Sequence, residues 1–140
     1  MDKKLTTAEI VIVVAGAAAL IGSFLAWYDV SGFTANAWDE GLFPTYTWVA
    51  IAGVLMALAI VLPKFANVDL PSAVLGFTWL QIHLILGFIA TLLVVSYLIG
   101  PGEEFGIGFW LSLLAGIALL VGAVMLQREP AAAGDPPPLA

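Results

Sequence analysis

Residues 8–28, AEIVIVVAGAAALIGSFLAWY, form an apolar stretch whose only charged side chain, Glu9, stands at its start. A helix needs about 20 mainly apolar residues, each adding about 1.5 Å of rise, to cross the hydrocarbon core of a bilayer. Three further stretches meet this requirement, at residues 45–62, 72–100 and 108–127. The sequence therefore predicts an all-α bundle of four transmembrane helices, a tetraspan domain, within residues 1–127.

The composition agrees with a membrane protein. Of the 140 residues, 62% are hydrophobic and only 10% are charged, whereas soluble domains have about 25% charged residues. A net charge of −6 argues against nucleic acid as a partner, because nucleic-acid binding needs a basic surface. The chain has no cysteine, which excludes disulfides and thiol chemistry. The expected partners are membrane lipids and other membrane proteins or further copies of this chain.

The basic residues predict the orientation, because Lys and Arg accumulate on the cytoplasmic side of membrane proteins. Loops 29–44 and 101–107 contain none of them. All four basic residues lie in the segments that a four-span chain places on the opposite side of the membrane from these loops: Lys3, Lys4, Lys64 and Arg128. We therefore expect a multi-pass protein of the cell membrane with both termini cytoplasmic. The polar, proline-rich segment 128–140 is expected to be a disordered cytoplasmic tail.

Small residues four positions apart let transmembrane helices approach closely. They are most frequent in the first stretch, which should therefore lie at the centre of the helix contacts, whereas the bulkier third stretch should face lipid or another chain. The pairs are Ala15 and Ala19, Ala18 and Gly22, Ala19 and Ser23, Gly22 and Ala26, Gly53 and Ala57, Ser112 and Gly116, and Ala118 and Gly122.

The loop AWYDVSGFTANAWDEGLF, residues 26–43, is expected on the outer face. Its flanking aromatic residues, Trp27 and Tyr28 before it and Tyr46 and Trp48 after it, are typical interfacial anchors. Residues 30–35 alternate loosely, which indicates a short hairpin or an extended segment on the bundle. The candidate partner-contacting residues are Trp27, Phe33, Trp38, Asp39, Glu40, Gly41 and Phe43.

Acidic residues also accumulate on the predicted outer side. They are Asp29, Asp39, Glu40, Glu103 and Glu104. Hydrogen bonding, cation binding or a basic partner would each explain them, and so would solvation combined with the exclusion of positive charge from the outer side. We expect no metal site, since the spacing in DEGLF does not match a calcium-binding loop.

Apart from Glu9 at the edge of the first span, the predicted spans contain no Asp, Glu, Lys or Arg. An intramembrane polar site would therefore have to use Thr78, Gln81 and His83. On a helix, Thr78 and Gln81 share one face and His83 points elsewhere. His83 lies about 16 Å deep if the hydrocarbon core begins near Ser72. It lies about 6 Å deep if Trp79 marks the interface and residues 70–78 form an interfacial helix. A packing role and a ligand-binding or proton-carrying role both remain open for His83.

The run SFLAWYDVSGFTANAWDEGLF resembles a pattern in a family of small four-span membrane proteins of actinobacteria. That family is uncharacterised, so the resemblance implies a topology and no activity. A weaker resemblance, at Trp27 and the GLF of residues 41–43, is to claudin-like tetraspans. Phe43 replaces their Trp and both of their cysteines are missing, so only the four-helix architecture and an adhesive outer loop are implied.

Together these features predict a non-enzymatic membrane protein, a structural or accessory subunit of a membrane assembly whose outer loop contacts a partner. No catalytic residues or cofactor are expected, because the chain offers no nucleophile–base pair. The alternative is a small transporter or channel subunit that uses Gln81, His83 and the outer acidic residues. No clear internal repeat is visible.

Overall fold

The structure, a computed structural model, describes residues 4–39, 42, 44–100 and 105–129. Four helices dominate it, and each is long and apolar enough to cross a membrane. They are α1 (Thr7–Phe24), α2 (Thr47–Phe65), α3 (Trp79–Leu98) and α4 (Ile107–Arg128). The prediction of a mostly helical fold with four apolar spans is confirmed. The expected tail lies outside the described residues from position 130 onward.

Helix α1 lies between α2 and α4 and packs closely on both. At its crossing with α2, a Cβ on Gly16 would stand 2.4 Å from the Gly53 carbonyl oxygen, and at its crossing with α4, a Cβ on Gly22 would stand 2.6 Å from Ser112 Oγ. Small residues thus allow backbone contact where apolar burial contributes little in lipid. The central position predicted for the first span is what the structure shows.

Helix α3 is the most exposed member of the bundle. Only His83, Gly87, Ala90 and Val94 of its residues are buried, and it packs on α4 more closely than on α2. Thr91 Oγ1 lies 2.9 Å from the carbonyl oxygens of both Gly87 and Gly116, which links α3 to α4. Most large side chains of α3 are therefore left for lipid.

Two short hairpins interrupt the helical bundle. In the first, β1 (Tyr28–Val30) pairs antiparallel with β2 (Phe33–Ala35). In the second, β3 (Ala73–Val74) pairs antiparallel with β4 (Phe77–Thr78). Their turns have the same backbone angles, with φ of 52° and 86° at Ser31 and Gly32 and again at Leu75 and Gly76. Positive φ at both central residues defines the tight hairpin turn that matches strand twist.

The second hairpin changes the expectation for the third span. Helix α3 begins at Trp79, seven positions after the predicted start at residue 72. The interfacial helix considered for residues 70–78 is wrong, because Leu75 and Gly76 have positive φ and cannot continue a right-handed helix. The two hairpins also have a short five-residue sequence pattern in common. VSGFT, at residues 30–34, and VLGFT, at residues 74–78, build the same turn.

Helix α2 continues through Pro63 and stops at Phe65, three residues after the predicted end of the span at residue 62. Pro63 lies in the last turn and has no N–H to donate to the carbonyl of Ala59. Asn67 then adopts a φ of 54°, a conformation that Asn tolerates at helix ends. The four helices alternate in direction, so the bundle has two ends that differ in chemistry.

Candidate functional site

One end of the bundle is covered by the connection between α1 and α2, residues 25–46, here called the cap. Its backbone is tied to several helix ends. Trp27 N donates to Ala35 O at 2.8 Å, and Gly106 N donates to Trp27 O at 2.9 Å. Ala37 N donates to Ser23 O at 3.0 Å, and Thr47 Oγ1 donates to Ala37 O at 2.6 Å. The cap is thus fixed to α1, to α2 and to the start of α4.

An aromatic cluster lies beneath the cap, with Trp27 as a central member. The Trp27 side chain is fully buried, and its Nε1 donates to Gly22 O at 3.1 Å. Ring centroids of three partners lie within 5.7 Å of it. These partners come from the other three helices or their edges: Tyr46, Tyr97 and Phe109. Trp27 was predicted as an anchor and a partner contact, but its burial removes it from any contact surface.

The exposed part of the cap is small and partly aromatic. Phe33, directly after the hairpin turn, is 78% exposed. Trp38 is 40% exposed and stacks on Phe24 at 5.5 Å with an interplanar angle of 12°. Its Nε1 donates to Ser23 Oγ at 3.0 Å. Of the predicted contact residues, Phe33 and Trp38 therefore present apolar surface on a firmly held segment.

The acidic residues of the cap are only partly described. Asp39 Oδ2 accepts a hydrogen bond from Asn36 N at 2.8 Å, so this carboxylate stabilises a turn. The predicted contacts Glu40, Gly41 and Phe43 lie outside the described residues, as do Glu103 and Glu104. In the part of the chain that the structure describes, no three His, Asp or Glu side chains converge as metal ligands.

The opposite end, here called the polar end, holds most of the described charged side chains. Lys64 Nζ forms a salt bridge with Glu9 Oε1 and also donates to Lys4 O at 3.1 Å. Thr6 Oγ1 donates to Glu129 Oε1 at 2.9 Å. These bonds tie the start of α1 to the ends of α2 and α4. The first and last described segments of the chain therefore lie at the same end.

The three residues of the predicted intramembrane polar site have separate roles. Thr78 is the N-cap of α3, and its Oγ1 accepts a hydrogen bond from Gln81 N at 3.3 Å. Gln81 Oε1 accepts in return from Thr78 N at 2.9 Å. This reciprocal pair is a capping box. Thr78 and Gln81 therefore start a helix and do not form a site with His83.

His83 lies one turn into α3, close to the polar end. Its side chain is 3% exposed, and its Nδ1 is buried without a hydrogen-bond partner among the described residues. A buried polar atom without a partner is rare, since it forgoes a hydrogen bond that water would supply.

Two cavities meet at His83. A cavity of about 490 Å³ lies between α2, α3 and the β3–β4 hairpin, and its lining is almost wholly apolar. A second one, of about 470 Å³, lies at the polar end and is lined in part by Glu9, Lys64 and Asp69. The two share four lining residues: Ala59, Leu70, Trp79 and His83. The two cavities are therefore neighbours, and His83 stands in the wall of both.

Comparison with protein-family models, curated proteins and solved structures found no match for this chain. The resemblances to the actinobacterial four-span family and to claudin-like tetraspans therefore stay predictions.

The sequence does not predict some of the residues that line the apolar cavity beside His83. Leu75, which is 93% exposed, and Ala59 line the apolar cavity but carry no polar group to attract attention. The signal for the hairpin was the repeated Val-x-Gly-Phe-Thr, in which Gly permits the positive φ of the turn. The cavity itself had no sequence signal, because its walls come from separate elements.

Proposed function

We propose that this chain is a non-enzymatic accessory or scaffold subunit of a membrane assembly, and that its cap contacts a partner protein. The observation that carries the proposal is Phe33, a large apolar side chain left 78% exposed on a hairpin fixed by hydrogen bonds to the bundle. Exposed aromatic side chains on rigid supports are frequent anchors of protein interfaces. The partner is another membrane protein or a second copy of this chain.

The charge distribution supports a cap outside the cytoplasm. Lys4 and Lys64 meet at the polar end, and Arg128 closes α4 at the same end. The two connections at the other end contain no Lys or Arg. By the positive-inside rule, the polar end and both termini face the cytoplasm of a cell-membrane protein.

The orientation is tested with single cysteines, since the chain has none of its own. Phe33→Cys should react with a membrane-impermeant maleimide on intact cells. Asn67→Cys, at an exposed position of the polar end, should react only after the membrane is permeabilised. The reverse pattern would overturn the orientation.

The partner contact is tested with a photo-crosslinking amino acid at position 33. The matched control places it at Leu75, which is also exposed and has the corresponding hairpin turn at the other end of the bundle. We expect one defined protein adduct from position 33, none of the same mass from position 75, and loss of co-purification with Phe33→Ser. Uncrosslinked monomer from both positions would contradict the proposal.

The alternative of a transporter or channel subunit retains one supporting observation, the unpartnered Nδ1 of buried His83. Gln81 no longer supports it, because its side chain caps α3. Ion and solute flux into liposomes, measured with the unaltered chain and with His83→Ala, separates the two proposals. Flux that the substitution abolishes would favour the transporter.

A further inference from the structure

We propose that the space between α2, α3 and the β3–β4 hairpin binds a zwitterionic membrane phospholipid, with an acyl chain in the apolar cavity and the head group at the polar end. This site lies at the opposite end from the cap and does not depend on a partner contact there.

The apolar cavity needs an occupant made of hydrocarbon. Its volume of about 490 Å³ falls in the range of small-molecule sites, about 300–1,000 Å³. The space is partly open to its surroundings, and hydrocarbon that enters it gains dispersion contacts with its walls. Water is a poor filler, because a buried water needs two to four polar partners and the lining supplies almost none. In a bilayer, acyl chains are the hydrocarbon at hand.

His83 gives this site a feature that ordinary lipid contact lacks. Its Nδ1 is buried without a partner among the described residues, at the place where the apolar and polar cavities meet. The ester or phosphate region of a phospholipid lies between its acyl chains and its head group. An oxygen of that region would accept a hydrogen bond from the imidazole, and His83 Nδ1 would then have a hydrogen-bond partner.

The charges of the polar cavity select the head group. Among the described residues, Lys64 donates two of its three N–H groups, to Glu9 and to the Lys4 carbonyl, which leaves the third for a phosphate oxygen. Glu9 and the exposed Asp69 line the same cavity. Two carboxylates and one ammonium favour a lipid that carries both a phosphate and a cationic amine over one with a net negative charge.

The hairpin forms a wall of the apolar cavity through three side chains, Val74, Leu75 and Phe77. Trp79 Nε1 donates to Pro71 O at 2.7 Å, which holds the hairpin against the start of α3. The capping box of Thr78 and Gln81 fixes the same junction. Thr78 and Gln81, which the sequence predicts as part of a polar site, thus support the mouth of the lipid site.

The structure also supplies a matched control. A third cavity, of about 350 Å³, lies between α1 and α4 and has only apolar residues in its lining. Ala118 lines this groove and Ala59 lines the proposed site, and both alanines are half-buried. Ala59→Phe and Ala118→Phe therefore fill two cavities of comparable apolar character, only one of which contains an unpartnered polar atom.

The test uses the full chain in nanodiscs of equimolar phosphatidylethanolamine and phosphatidylglycerol, with native mass spectrometry of the released protein. We expect one retained phosphatidylethanolamine per chain. Ala59→Phe should lower retention at least about tenfold, because its ring would occupy the space of the acyl chain and remove the chain's dispersion contacts with the walls. Ala118→Phe should leave retention unchanged. Circular dichroism confirms that each variant is folded.

His83→Phe provides an independent variant, which keeps a ring but removes the hydrogen-bonding nitrogen. We expect retention to fall about five- to tenfold, as the loss of one hydrogen bond predicts. Equal retention in Ala59→Phe and the unaltered chain, equal loss in both alanine variants, or preference for phosphatidylglycerol would overturn the proposal. A change of oligomeric state in Ala59→Phe without a change in lipid would also overturn it and would assign the cavity to a second copy.

Discussion

Gly16 of α1 and Gly53 of α2 are in direct backbone contact: a Cβ on Gly16 would stand 2.4 Å from the Gly53 carbonyl oxygen. Such an approach is closer than any side chain permits, so the two helices can cross here only because both positions lack one. This crossing is the most demanding packing constraint between α1 and α2.

Gly16→Ala should separate α1 from α2 and destabilise the bundle by about 1–3 kcal/mol, the usual cost of overpacking. Ala17→Leu adds more volume at the neighbouring position, which is exposed, and should change stability little. Unfolding of both variants in detergent micelles measures the difference. Equal stability of Gly16→Ala and the unaltered chain would show that the crossing is looser than described.

The buried indole of Trp27 predicts a different stability for two Trp→Phe variants. Trp27→Phe removes the hydrogen bond to Gly22 O and leaves a void in the aromatic cluster, so we expect a loss of about 1–3 kcal/mol. Trp48 is 51% exposed, and Trp48→Phe should be nearly neutral. Thermal unfolding followed by near-ultraviolet circular dichroism compares the two. A larger effect at Trp48 would contradict the assignment of Trp27 to the core.

Two hydroxyl groups on the α4 interfaces, one half-buried at Thr91 and one buried at Ser112, should respond in opposite ways. Thr91 Oγ1 lies 2.9 Å from carbonyl oxygens of both α3 and α4, so Thr91→Val should cost about 0.6–1.7 kcal/mol, the range for hydrogen bonds between membrane helices. Ser112 Oγ is buried without a partner among the described residues.

Ser112→Ala is the paired substitution and should be neutral or stabilising, because it removes an unsatisfied polar atom. The measurement for both variants is the free energy of unfolding in micelles. If Ser112→Ala proved the more harmful of the two, the assignment of hydrogen bonds in these interfaces would be wrong.

The capping box predicts a local effect at the start of α3. Thr78→Val should cost about 1 kcal/mol and speed amide exchange in the first turn of α3, whereas Thr78→Ser should preserve both. Thr45→Val is the control, because the start of α2 has no side-chain cap. Hydrogen–deuterium exchange with mass spectrometry gives the readout. Unchanged exchange in Thr78→Val would restore Thr78 as a candidate for the polar site.

The helices could be predicted from the sequence because twenty consecutive apolar residues have few alternatives in a bilayer. The start of α3 could not, because AVLGF is as apolar as the helix that follows it, and its turn depends on backbone angles at Leu75 and Gly76. The capping box of Thr78 and Gln81 did have a sequence pattern, Thr-x-x-Gln. Because the preceding apolar residues predict an earlier start of the span, the same two residues fall inside it and indicate a polar site instead.

The site residues were predictable to different degrees. The exposure of Phe33 and Trp38 follows from their position in a connection between two spans, whereas their contact with a partner stays a prediction. The burial of Trp27 depends on rings supplied from the other three helices, and no local pattern contains that information. The surroundings of His83 likewise come from α2, α3 and a hairpin that are separate in sequence.

The position of α1 between α2 and α4 has a consequence for biosynthesis. A ribosome synthesises α1 first and α4 only after α2 and α3. The α1 surface that contacts Gly108, Ser112 and Gly122 therefore has no partner until α4 has been made. Insertion of the bundle thus ends with a docking event between early and late parts of one polypeptide.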